Sequence, residues 1–212
     1  MTSSTPAKRK ITVRKQPTQE RAKAKVEHIL ASTKTLLIED GLDKLTTNHI
    51  AKAAGMSVGS LYQYFPNKQS VINELFRRWL TGVISIVEGF SEQNVGALSL
   101  EEFVDAIMAL VYGEDDGTQM QYELELGKAM LLYPELNEVE RLHGEKMGQL
   151  VADILEKMKI NAPRDTLVKL GHYIYGLNDL SEHLAWSNKC DREQSLLWQR
   201  ETVLTLLKMY PS

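Results

Sequence analysis

The chain has 212 residues, 43% of them hydrophobic, with 28 acidic and 25 basic side chains and a formal net charge of −3. This is the composition of a globular protein with a real core, and no run approaches the roughly 18 apolar residues of a membrane-spanning helix. A single cysteine, Cys190, excludes an intramolecular disulfide and fits a reducing compartment, so a cytoplasmic protein is expected.

The basic N-terminus, MTSSTPAKRKITVRKQPTQ, is followed by no apolar stretch and does not read as a secretory signal. With Pro6, Pro17 and five basic residues between Lys8 and Lys15, residues 1–17 read as a mobile arm. Val26, Ile29, Leu30, Thr33 and Leu37 then recur at helical spacing, and Gly41 marks a stop. A short second helix is expected after Thr46–Thr47, with Ile50, Ala51 and Ala54 inward. Gly55 lies at the turn, Ser57 is the expected N-cap of a third helix, and that helix runs to about Phe65. A fourth, over about 67–90, carries Val71, Ile72, Leu75, Phe76 and Trp79 along one side. Nothing beyond it resembles a strand. Ser99 with Glu102 forms a capping box, and Gly113–Gly117 breaks the helix that it opens. Further helices are expected over about 123–132, 135–159 and 163–187, and a last one, capped by Asp191 with Gln194, to about Met209.

Charge divides along the same line. Residues 1–80 carry 14 basic and 6 acidic side chains, whereas residues 81–212 carry 11 and 22. Such asymmetry suggests that the first part meets a polyanion, although a solvated basic tail gives the same balance. Two short helices joined by a tight Gly-containing turn form the helix-turn-helix plan, whose second helix enters the major groove of DNA. The first helix needs small residues for close packing, and Ala51 and Ala54 supply them. Leu61 and Phe65 suit the anchor role on the second.

The stretch TTNHIAKAAGMSVGSLYQYFPNK closely resembles the DNA-binding signature of the tetracycline-repressor (TetR) family of bacterial regulators. The matching residues are the Thr opening the second helix, Ile50-Ala51, Ala54-Gly55, Ser57, Gly59, Leu61-Tyr62, Tyr64-Phe65 and Lys68. The resemblance implies phosphate contacts from Thr47, Ser57, Tyr62, Tyr64 and Lys68, which fix register without reading sequence. It implies a groove-facing set of Val58, Gly59, Ser60 and Gln63, in which Gln pairs bidentately with adenine and Val touches a thymine methyl. Many relatives carry a basic residue at the position of Val58. Tyr62 and Tyr64 also fit half-buried core, Lys68 also fits a solvated first turn, and the arm either tracks DNA or stays in solvent.

The acidic second half then needs a dimer surface and an effector site. Leu167, Leu170, Ile174, Leu177, Ser181 and Leu184 alternate spacings of three and four, as in a helix–helix seam, and Leu196, Val203, Leu206 and Leu207 follow on the last helix. The family plan pairs the final two helices with their mates; an intramolecular core has the same spacing. The effector is expected in an apolar region with a few polar groups. Candidates are Met108, Tyr112, Met120, Tyr122, Met130, Tyr133, His143, Met147, Tyr173 and Asn178.

A metal site has no positive support: His172 and His183 are eleven residues apart, roughly 16 Å along one helix. No cofactor and no catalytic residues are expected, because no nucleophile, base and orienting group occur at interpretable spacing. The expected organisation is all-α: an arm over 1–17, a three-helix helix-turn-helix domain over 18–66, and a ligand-binding and dimerisation domain over 67–212, with helix 67–90 as connector. The expected function is a homodimeric repressor released from a palindromic operator by an apolar or amphipathic small molecule. An activator and an effector-independent DNA-organising protein of the same fold are the alternatives.

Overall fold

A computed structural model describes residues 20–113, 117–186 and 190–210. The arm over residues 1–17 lies outside them. Among the described residues there are nine α-helices, one 3-10 turn at Val95–Ala97 and no strand. The helices are α1 (Glu20–Asp40), α2 (Thr47–Ala53), α3 (Val58–Tyr64), α4 (Lys68–Ser91), α5 (Leu100–Tyr112), α6 (Thr118–Leu132), α7 (Leu136–Lys157), α8 (Arg164–Trp186) and α9 (Arg192–Lys208). None is long and apolar enough to cross a membrane.

Local signals set most boundaries. α1 stops at Gly41, which takes a left-handed φ of 79°. The Ser99–Glu102 capping box opens α5 with both reciprocal bonds made. Asp191 caps α9, although its side chain accepts from Glu193 N–H at 3.1 Å and not in the box with Gln194 that the spacing suggests.

Packing divides the chain into two compact units. The first comprises residues up to Trp79 together with 116–138, so α6 belongs to the unit that holds α1, α2, α3 and the start of α4. Its core is Ile29, Leu37, Leu42, Leu45, Ile50, Leu61, Phe65, Ile72 and Phe76, all fully buried, joined by Leu126 of α6. Polar contacts fasten α6 here. The Glu125 carboxylate, 2% exposed, accepts from Leu42 N–H at 2.7 Å and from Lys128 Nζ at 2.6 Å. Lys34 of α1 donates to Gln119 at 3.2 Å and lies 4.5 Å over the Tyr122 ring. Trp79 Nε1 donates to Glu123 at 3.1 Å.

The second unit comprises 80–115 and 139–212. Val87 and Phe90 of α4, Phe103 and Val104 of α5, Ile154 and Leu155 of α7, Leu167 and Leu170 of α8, and Val203, Leu204 and Leu207 of α9 form its core. Arg200 of α9 forks onto Asp105 of α5 at 2.5 and 3.1 Å, and Lys208 meets Glu101 at 2.7 Å, pinning the two helices. α7 and α8 run antiparallel and touch through backbone: a Cβ on Gly171 would stand 2.4 Å from Gly148 O. That approach requires glycine at position 171, whereas a Cβ on Gly148 would meet the imidazole of exposed His172.

Candidate nucleic-acid interface

Two short helices need strong ends, since seven residues make few internal bonds. Thr46 caps α2, its Oγ1 accepting from His49 N–H at 3.1 Å. The helix closes with Gly55 N–H on Lys52 O and Met56 N–H on Ala51 O, at 3.1 and 2.9 Å. This paired closure needs a left-handed residue, and Gly55 provides it with φ 60°. Ser57 caps α3 as expected, accepting from Ser60 N–H at 3.1 Å, and its hydroxyl lies 2.9 Å from that of Ser60. Asn67 opens α4 by accepting from Ser70 N–H at 2.8 Å. The chain from Leu42 to Lys68 carries three lysines against one aspartate.

α3 is anchored by Leu61, Tyr64 and Phe65, an i, i+3, i+4 set that is buried. Tyr64 is thus the less accessible of the two tyrosines in the expected phosphate set. Its ring is 8% exposed and belongs to the core. Tyr62, two positions earlier and about 200° away around the helix, points outward. It is exposed, with its hydroxyl 3.4 Å from Thr47 Oγ1, so α2 and α3 present these two expected phosphate ligands side by side. Gln63 and Gly59 are exposed, and Val58 and Ser60 half-buried. At Gly59 a Cβ would meet only Ser57 Oγ, at 3.9 Å. The protein itself gives no reason for glycine there. Lys68 is half-buried and donates to Leu42 O at 3.4 Å. The α1–α2 corner is thus gripped on both sides, by Lys68 on the carbonyl and Glu125 on the amide of one residue. Asn48, exposed in the first turn of α2 beside Thr47, adds an amide to the same face.

The expected seam on α8 and α9 faces largely inward. Leu167, Leu170, Ser181, Val203 and Leu207 are buried within the protomer, and Ile174, Leu177, Leu184, Leu196 and Leu206 are half-buried. Spacings of three and four mark a stripe that something covers, and here the same chain covers most of it. The outward apolar groups are Tyr173 and Leu180 on α8, 55% and 52% exposed, and Leu197 and Trp198 on α9, 50% and 58% exposed.

The ten expected effector residues divide between the two units. Met120, Tyr122, Met130 and Tyr133 belong to the first unit, where Tyr122 is buried beneath Lys34. Burial pushes its phenol well above the usual range. Tyr173 faces outward, and the Tyr112 side chain lies outside what is described. Met108, His143, Met147 and Asn178 remain in the second unit, with His143 and Met147 buried.

Comparison with known proteins locates the same N-terminal region. Residues 29–75 match the family model for bacterial regulatory proteins of the tetR family. The nucleoid occlusion factor SlmA of Actinobacillus pleuropneumoniae is 38% identical over 78 residues, which cover 33% of this chain and 39% of that protein. The HTH-type transcriptional regulator AcrR of Shigella flexneri is 30% identical over 84 residues, 40% of this chain and 34% of that one. The matches thus span under half the length of these relatives. In fold the likeness is whole: a TetR-family transcriptional regulator from Mesorhizobium loti superimposes with a TM-score of 0.71 at 18% identity, over 92% of this chain and all of that one.

Proposed function

Because the chain belongs to the TetR family of bacterial regulatory proteins, we propose that it is a sequence-specific DNA-binding transcriptional regulator, a homodimer on a palindromic operator. The observation that carries this is the outward face of α2 and α3: Thr47 paired with Tyr62, Gln63 exposed beside it, and a Gly59 that no protein neighbour requires. α3 is the major-groove helix, with Gln63 and Val58 reading base edges and Ser60 and Gly59 allowing close approach. Thr47, Ser57, Tyr62 and Lys68 hold phosphates. Dimerisation uses the outward sides of α8 and α9, around Tyr173, Leu180, Leu197 and Trp198, and sets two recognition helices about 34–36 Å apart. A small molecule bound in the second unit shifts the dimer to a spacing that misses one half-site, with α4, continuous from Lys68 to Ser91, as lever.

The test is a titration against promoter fragments and random DNA at several salt concentrations. A palindrome bound far more tightly than random sequence is the expected result. Gln63→Ala then relaxes specificity, while Lys68→Ala weakens binding to all sequences and reduces the salt slope by about one. Equal, weak binding to every sequence defeats the proposal. The likeness to a nucleoid occlusion factor favours a second reading, a role in organising chromosomal DNA. Operator affinity unmoved by a broad metabolite and lipid screen would select it.

A further inference from the structure

His143 sits on α7 within the second unit and is 5% exposed, yet neither Nδ1 nor Nε2 has a hydrogen-bond partner among the described residues. Its surroundings are fixed by the glycine crossing. Gly148 and Gly171 bring α7 and α8 into backbone contact, and one turn along, a Cβ on Gly144 would lie 3.5 Å from the Tyr175 ring. The imidazole rests against that ring, centroids 5.4 Å apart and inclined by 60°. Tyr175 donates its hydroxyl to Glu140, one turn before His143, at 2.5 Å. Buried Met147, one turn after, extends the apolar wall.

A buried imidazole with both nitrogens unsatisfied costs about as much as the hydrogen bonds it lacks, and an apolar residue of similar size would fill the place at no such cost. A polar atom left bare in a packed interior calls for a partner, and a group from outside the protein can supply it. The charge of that partner is constrained. Burial, helped by the Lys146 charge, keeps the imidazole neutral, with one donor and one acceptor nitrogen. Lys146 itself is engaged by Glu88 at 2.7 Å and offers no free counter-ion to a ligand anion. Glu140, one turn before His143, offers an anion no positive charge. A hydroxyl group, donor and acceptor at once, meets this arrangement.

We propose that His143, between Tyr175 and Met147, is the polar anchor of the ligand site in the second unit, and that the ligand is an uncharged apolar molecule bearing a hydroxyl, a phenol or an alcohol. The inference deepens, and rests on, the reading of that unit as the effector domain.

Three probes with one apolar body separate the possibilities: hexylphenol, hexylbenzene and hexylbenzoate, titrated calorimetrically into the full-length protein at pH 7.5. Hexylphenol is expected to bind about tenfold or more tightly than either of the others. The preference should fall to within about twofold in His143→Leu, a variant expected to fold because it removes unsatisfied polar atoms. His143→Phe is the second variant, should leucine fail to fold. In the wild type, the imidazole ¹⁵N resonances of His143 should move with hexylphenol and stay still with hexylbenzene. Equal binding of the three probes, no binding of any, or a phenol preference that survives His143→Leu overturns the proposal. Operator release, measured in parallel, separates this from the underlying reading. Hexylphenol that binds through His143 without releasing DNA supports the site and removes its regulatory role. A screened compound that releases DNA equally from wild type and His143→Leu keeps the effector domain and overturns this anchor.

Discussion

Gly59 and His143 are residues whose surroundings within the protein do not account for them. At Gly59, alanine meets nothing closer than a serine hydroxyl at 3.9 Å. Gly59→Ala should therefore leave the melting temperature unchanged or raise it, since alanine is favoured over glycine in a helix by about 0.5–1 kcal/mol. The same change should weaken operator binding about tenfold or more, because the added methyl stands where the duplex backbone or base edge must come close. Thermal melts and DNA titrations on one preparation check both halves. His143 bears on stability through its protonation in the unfolded chain. Burial holds its pKa at about 4, below the ordinary 6.5. The unfolded chain thus takes up a proton first as pH falls. Stability from this residue is complete above about pH 6.5 and is lost as pH falls toward 4, by about 3 kcal/mol at most. Urea unfolding of wild type and His143→Leu between pH 7.5 and 4.5 should show that loss in the wild type alone.

At the scale of elements, α6 is the one whose allegiance matters. Its Glu125 reaches the amide of Leu42 while Lys68 of α4 reaches the carbonyl, so the corner from which α2 departs is set from two helices. Glu125→Leu removes the acceptor from a buried amide, which costs about 1–3 kcal/mol. The expected result is a Leu42 amide that exchanges hydrogen much faster than in the wild type, while amides at the centre of α4 keep their protection. An unchanged Leu42 rate would mean that the corner is held by packing alone. α3 teaches the complementary lesson. Its buried side of Leu61, Tyr64 and Phe65 turns Tyr62 outward, a distinction that helical geometry carries and that the family resemblance, which places both tyrosines on phosphates, does not make.

For the whole molecule, the proposed dimer rests on the outward sides of α8 and α9. Leu180→Glu with Trp198→Glu places charges on outward positions and should yield a folded monomer, seen by sedimentation, with operator affinity reduced by two orders of magnitude or more. Leu167→Glu puts a charge into the protomer core and should unfold the second unit instead. If the double variant stays dimeric and binds DNA normally, another surface serves.

The sequence by itself determined whatever depends on neighbours within a turn or two. Ser57, Ser99 with Glu102, Gly41 and Gly55 set helix ends through hydrogen bonds and backbone freedom spanning a few residues, and the helix-turn-helix was legible because its caps, turn and anchors are all local. Tertiary structure decided which copy of an apolar stripe covers another. Periodicity shows that Leu167, Leu170, Val203 and Leu207 are covered, and it is blind to whether the cover is the same chain or a second one. It also decided that α6 joins the N-terminal unit, through contacts 83 residues apart such as Leu42 to Glu125. No local pattern encodes such a contact, because burying a carboxylate there is worthwhile only once the amide it satisfies has been brought to it.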